Sequence, residues 1–132
     1  MIQLPRKIVN GIIQQALDEL PNEACGVLGG KDDVVSEQYV LTNTDASFEH
    51  FSFDPAEQFK SLRSARASGL SIIANYHSHP STPSRPSEED VRLAYDPDIL
   101  YLIVSLALEK PVLKAFNIHD GYSVEVAIKV LD

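Results

Sequence analysis

Cysteine is nearly missing: Cys25 is the one thiol in 132 residues. That excludes an internal disulfide and, equally, a structural zinc site of four cysteines. No stretch is long and apolar enough to span a bilayer. The start, Met1-Ile2-Gln3-Leu4-Pro5-Arg6-Lys7, lacks the ordered charged, apolar and cleavage regions of a signal peptide. The expectation is a cytoplasmic protein without membrane contact. Lysine and arginine together number 11 against 19 acidic residues, a net charge of −8. No basic cluster stands ready to neutralise phosphates, so nucleic acid is not an expected partner. Repeats, linkers and low-complexity segments are also absent. With 44% apolar residues, a chain of this length is enough for one domain, residues 1–132, with a real core, and too short for two ordinary ones. Composition leaves the partner and the oligomeric state open.

Along the chain, Pro5 to Leu20 has Ile8, Ile12, Ile13, Ala16 and Leu20 spaced three and four apart, the pattern of an amphipathic helix that Pro21 ends. Gly11 has no evident purpose in it. Asn22 to Gly30 predicts a short strand, with Gly29 and Gly30 in the turn to a hairpin partner, Val34 to Leu41. Thr42 to Phe53 is polar and turn-like. A second helix is expected from Asp54 as cap and Pro55 as first helical residue, with Glu57 closing a capping box, Phe59 and Leu62 as its apolar side, and Gly69 as its stop. A buried strand follows at Leu70 to Ala74. A third helix should carry Val91, Leu93 and Ala94 as far as the turn at Asp96-Pro97-Asp98. Three strands, Leu100 to Leu106, Val112 to His119 and Tyr122 to Val130, close the chain antiparallel, with Asp120-Gly121 as a hairpin turn. The order of elements describes an α/β (α+β) fold: a mixed, largely antiparallel sheet flanked by helices.

The stretch Asn75-Tyr76-His77-Ser78-His79-Pro80 is the hardest to explain as packing. On a strand, His77 and His79 point to one face and can share a metal. A Pro- and Ser-rich loop leads to Ser87-x-x-Asp90, which opens a helix and returns a hard oxygen ligand at Asp90. Each piece has a plainer reading. A His-x-His at a strand end can be two polar residues facing solvent, and Ser87-x-x-Asp90 with Glu88 and Glu89 is a capping box in an acidic first turn. The conjunction of the three points to metal, and three protein ligands leave a fourth position for water, as in catalytic zinc sites. Glu23, an acid at the start of an apolar strand, is by spacing alone a solvated carboxylate. Cys25 lacks the surroundings of a cysteine nucleophile and is expected as a buried wall of the same cleft. His50 and His119 are expected to be structural or exposed.

With Glu23 and His77-x-His79-Pro80-x6-Ser87-x2-Asp90 both in hand, the chain resembles the JAMM, or MPN+, metalloprotease family. The motif matches at every position, Glu23-Ala24-Cys25-Gly26-Val27-Leu28-Gly29 resembles the family's first strand, and Phe53-Asp54-Pro55-Ala56-Glu57 resembles the start of its second helix. The resemblance implies a fold similar to the cytidine deaminase architecture. It implies zinc on His77, His79 and Asp90, with Glu23 as general base and Ser87 as donor to the oxyanion, helped by the helix N-terminus behind it. It also implies cleavage after the C-terminal Gly-Gly of a ubiquitin-like protein, and the compact size is closest to prokaryotic members that process sulfur-carrier proteins. Such a tail is expected to add as a strand at a sheet edge beside the metal. Two other readings compete: a non-catalytic MPN interaction module, and a zinc hydrolase of another peptide or small-molecule amide. Deaminase chemistry is excluded, because it needs a Pro-Cys-x-x-Cys set and the chain has one cysteine.

Overall fold

The computed structural model describes residues 1–132. Its elements are β1 (Ile2–Pro5), α1 (Arg6–Asp18), β2 (Cys25–Lys31), β3 (Val34–Leu41), α2 (Pro55–Ala67), β4 (Ser71–His79), α3 (Glu88–Arg92), β5 (Leu100–Ser105), β6 (Val112–His119), β7 (Tyr122–Val126) and β8 (Ile128–Leu131). All eight strands form one sheet in the order β7-β6-β5-β4-β2-β3-β1-β8. Four of its ladders are antiparallel, and β1·β3, β1·β8 and β4·β5 are parallel. The mixed, largely antiparallel sheet with flanking helices is thus as expected. No helix is long and apolar enough to cross a membrane.

Two strands differ from the expectation. Ile2–Pro5 is a strand, and the closing segment Tyr122 to Val130 is divided at Ala127 into β7 and β8, which lie at opposite ends of the strand order. The sheet therefore curls until one continuous segment joins both of its ends. The physical reason is that β1 pairs with β8 in parallel, Ile2 opposite Ile128. A partner so far along the chain leaves no mark in local periodicity.

One face of the sheet is packed by α1. Ile8, Ile12 and Ala16 are buried there with Ile2, Leu4, Leu28, Tyr76 and Leu102. Burying each Ile or Leu side chain contributes about 2–3 kcal/mol, which outweighs the modest helix propensity of a segment containing Gly11. Gly11 does have a purpose. A Cβ there would collide with the Gln38 side chain, whose Nε2 donates to Tyr76 Oη at 3.0 Å. Tyr76 Oη donates in turn to Gln15 Oε1, and Gln15 Nε2 donates to the Cys25 carbonyl at 2.9 Å. This buried chain of polar groups docks α1 on β2 and β4.

The opposite face holds α2, α3 and two smaller apolar clusters, Cys25-Val27-Leu41 and Ile103-Phe116-Ile118. Asp54 caps α2 by accepting from the Ala56 amide at 2.9 Å. Glu57 does not close a capping box; it binds the Thr42 amide and hydroxyl at 2.8 and 2.9 Å. The buried side of α2 is Ser61 and Ala65, while Phe59 is exposed. Helix α3 ends at Arg92, short of the expected turn at Asp96-Pro97-Asp98, and Val91 and Ala94 pack onto the Ile103 cluster.

Gly29 and Gly30 lie within β2 rather than in the turn, which falls at Asp32 and Asp33. Gly30 allows the Val34 carbonyl to approach where a Cβ would stand, and Gly26 does the same for the Tyr76 ring. Tyr76 is 1% exposed and hydrogen-bonded to two glutamines, so it cannot yield. Gly26→Ala should therefore cost about 3 kcal/mol, read as a lowered urea midpoint with unchanged slope. A loss below about 0.5 kcal/mol would show that Tyr76 repacks freely.

Candidate metal centre

The site lies where two parallel strands end. β4 and β5 run side by side from Ala74/Leu100 to His79/Ser105, joined by the Pro-Ser loop and α3. Side chains and the crossing connection meet at the carboxyl end of such a pair, the usual place for a site in an α/β arrangement. His77 and His79 leave β4 on the α3 side of the sheet, and α3 presents Asp90 to both.

The three donors form a nearly equilateral triangle. His77 Nε2 lies 3.1 Å from His79 Nε2 and 3.2 Å from Asp90 Oδ2, and His79 Nε2 lies 3.1 Å from the same oxygen. Donors bound tetrahedrally to zinc at about 2.0–2.1 Å stand roughly 3.3 Å apart. The set thus fits one small divalent ion without rearrangement. Its surroundings fit as well. The Pro83 carbonyl, 2.8 Å from His79 Nδ1, can only accept, so Nδ1 carries a proton and Nε2 is the ring nitrogen turned to the triangle. Phe51 stacks on the His77 ring, centroids 4.6 Å apart.

The capping reading of Ser87-x-x-Asp90 is correct, and the same geometry leaves Asp90 available to a metal ion. Ser87 Oγ accepts from the Asp90 amide at 3.0 Å, and Asp90 Oδ2 accepts from the Ser87 amide at 2.9 Å. That Oδ2 is the oxygen that meets the histidines, so the cap fixes the ligand's rotamer. Burial alone would raise the Asp90 pKa, but hydrogen bonds from His77 and His79 and the Ser87 amide hold it well below the usual carboxylate range. Burial works to lower the His79 pKa and is outweighed by Asp90 and Pro83, so it lies above the ordinary value.

Glu23 just precedes β2 and is 3% exposed. Its Oε1 is buried without any hydrogen-bond partner. Burial pushes its pKa up to about 8; His79 opposes the rise and Asp90, Glu89 and Glu49 add to it. Its neighbour Ala24 is tied to Ser78, between the two histidines, by Ala24 N to Ser78 Oγ at 2.7 Å and Ser78 N to Ala24 O at 2.9 Å. The strand bearing the acid and the strand bearing the imidazoles are thereby locked in register. Cys25 is fully buried on the Phe51 side in the cluster with Val27 and Leu41 and lines neither cleft beside the triangle; burial raises its pKa to about 12, so it is packing and not a nucleophile. His50 pairs with Asp45 at 3.1 Å, and His119 is exposed, away from the triangle.

Two residues escaped the sequence reading. Phe51 is one. The other is Asn43, whose Nδ2 donates to the carbonyls of Glu23 and His50, both at 3.1 Å. Its Oδ1 accepts from the amides of Asp45 and Ser52 at 3.1 and 3.3 Å. A single amide thus anchors the 43–53 loop to the Glu23 backbone; a lone Asn in a polar stretch gives no periodic signal. Asn43→Ala should lower kcat/KM about tenfold through misplacement of Glu23 and Phe51, with metal affinity falling less. Undiminished kcat/KM would show the loop holds without it. The Pro-Ser loop is tied down too, with Ser84 Oγ on the Val112 carbonyl and Ser105 Oγ on the Thr82 carbonyl, each at 2.5 Å.

Clefts open on both sides of the triangle. Beside His77 and Asp90, one of about 360 Å³ is lined by Phe51, Phe53, Tyr101, Ile103 and Ile118. It runs on under α2 into a groove of about 630 Å³, the two sharing Gln58, Asn75, Leu93, Tyr95 and Tyr101. Beside His79, a polar cleft of about 700 Å³ is bordered by Glu23, Ser87, Glu49, Glu88 and Glu89.

A converging set of metal donors, a shielded carboxylate at its side and an open cleft on each flank are the parts of a hydrolase built to hold a single metal ion. The comparisons narrow this class. A family model described as prokaryotic homologs of the JAB domain matches residues 5–119, and the chain belongs to that family. A Mycobacterium tuberculosis protein named CysO-cysteine peptidase is 33% identical over 128 residues, covering 95% of this chain and 88% of the relative. A Thermus thermophilus protein named a probable TtuB-protein conjugate cleaving protease is 32% identical over 133 residues, covering 99% of this chain and 84% of the relative. The solution structure of a protein from Desulfitobacterium hafniense is 46% identical with a TM-score of 0.92, covering 100% of this chain and 94% of that one. The chain is an enzyme of the peptidase class with the JAB/MPN fold.

Proposed function

We propose that this protein hydrolyses the amide or isopeptide bond after the C-terminal Gly-Gly of a ubiquitin-like or sulfur-carrier protein, with Glu23 as general base. The observation that carries the reading is the stranded Glu23 oxygen beside the His-His-Asp triangle. An unpartnered buried carboxylate costs several kcal/mol, and a reacting water would be its missing partner. The printed names of the two relatives, a peptidase and a conjugate-cleaving protease, support the substrate class.

His77, His79 and Asp90 would hold zinc, which when bound polarises a carbonyl and lowers the pKa of a water. Glu23 takes a proton from the attacking water and delivers it to the leaving amine. Ser87 accepts from the Asp90 amide, which leaves its own O–H free to donate to the oxyanion. The Gly-Gly tail cannot add as a strand to β4, which is paired on both sides by β2 and β5. The apolar cleft by Phe51 and Tyr101 receives it instead, a narrow passage that side-chain-free residues suit.

The test is the metal content of the purified protein, combined with hydrolysis of a carrier bearing a C-terminal cysteine or a lysine-linked peptide. Near-stoichiometric zinc and chelator-sensitive cleavage after Gly-Gly are expected. A protein that takes up no zinc on reconstitution would overturn the reading in favour of an interaction module.

A further inference from the structure

The two flanks of the site differ in chemistry, and proton transfer decides which end of the substrate each receives. This step rests on the hydrolytic reading above. Glu23 must reach the nitrogen that departs, so the amine lies on the flank that Glu23 borders. Glu23 and Ser87 border the polar cleft of about 700 Å³ and not the apolar one, where His77 and Asp90 meet Phe51 and Ile103. The acyl tail is left with the apolar side.

The amine side is strongly and unevenly charged. Its one arginine is occupied: Arg92 pairs with Glu89 at 3.6 Å, while His50 lies against Asp45 at 3.1 Å. Glu49 and Glu88 are exposed and enter no ion pair. At the inner wall Glu23, 3% exposed, borders the same space. Phe48 is the one apolar residue that lines it.

We infer that this cleft selects the leaving group by charge, favouring a lysine set among basic residues of a target protein over a neutral or acidic one, with Glu49 and Glu88 as the discriminating side chains. In the hydrolysis the acyl C–N bond breaks and the water oxygen stays on the acyl carbon. Both water protons finish on the nitrogen, one of them through Glu23, giving a carboxylate and an ammonium. The amide nitrogen of the substrate is neutral, so the cleft senses the flanking cations before the reaction and the new ammonium after it. A basic product therefore leaves slowly and inhibits.

The experiment uses two reporters with one Gly-Gly acyl tail, isopeptide-linked to lysine in a Lys/Arg-flanked or a Glu/Asp-flanked peptide. At low salt the basic reporter should be preferred roughly tenfold in kcat/KM, and the ratio should shrink towards one at high salt. Combined Glu49→Gln and Glu88→Gln should collapse it at low salt. Binding of the two free lysine peptides, measured by fluorescence anisotropy, should show the same order without any turnover. Equal cleavage and equal binding would overturn the inference and leave the hydrolytic reading intact. Preferential binding of the basic peptide without cleavage of either reporter would overturn the hydrolytic reading and, with it, the leaving-group role of the cleft.

Discussion

Glu23→Gln is expected to reduce kcat by about 10²–10⁴-fold, the usual worth of a positioned general base, with metal content unchanged. The amide keeps the shape of the carboxyl but cannot take a proton. The same substitution should have the opposite effect on the stability of the metal-free protein. In the folded protein burial pushes the Glu23 pKa up to about 8, from an ordinary 4.5. Between these values the folded state binds the extra proton, so stability falls as pH rises through the window. At pH 7 glutamine, always neutral, should stabilise the metal-free fold by up to about 3 kcal/mol, and at pH 4 the gain should vanish. With metal bound the gain should also disappear, because a nearby cation favours the ionised carboxylate. Urea unfolding at both pH values, with and without zinc, reads all of this. Full turnover in the variant would sink the general-base role. An equal gain at both pH values would mean that burial does not hold the proton on Glu23.

His77→Ala and Asp90→Ala are expected to lose metal and activity together, with affinity down more than a hundredfold, beyond what loss of an outer-shell partner costs. The two should differ in stability. His77→Ala removes a ring stacked on Phe51, whereas Asp90→Ala also breaks the reciprocal cap of α3 and costs about 1 kcal/mol more on that account. Asp90→Asn separates the effects, since an amide oxygen still accepts from the Ser87 amide while the ligand charge is gone. Affinity should weaken as pH falls, because metal competes with the proton that His79 holds above its ordinary range. Isothermal titration with zinc at two pH values checks the direction, and retained stoichiometric zinc in His77→Ala would break the triangle as the binding site.

The sequence made the site more legible than the sheet. His77, His79 and Asp90 were visible because their chemistry sits in one short stretch, and alternation on a strand plus one helical turn is enough to converge them. Glu23 was visible only by resemblance, since its burial depends on the 43–53 loop folding over it through Asn43. β1 and β8 were hidden for the same reason: each is short, and its partner lies at the far end of the chain. Gly11 had no evident purpose in its helix and Gly30 was expected in a turn; both, like Gly26 within its strand, instead make room for a group brought in from elsewhere, a tertiary requirement that propensity does not encode.

The pairing of β1 with β8 has a mechanical consequence. The two strands are parallel, with Ile2 opposite Ile128 and Pro5 opposite Leu131. Force applied through Met1 and Asp132 pulls them along their length in opposite directions. Their hydrogen bonds, among them Ile2 N to Ala127 O at 3.0 Å, are then loaded together in shear and must break as a group. Peeling β7 away from β6 would break bonds one after another. The fold is thus a clamp against stretching at its ends and a zipper at its outer strand, and single-molecule pulling in the two geometries should give a high and a low rupture force respectively.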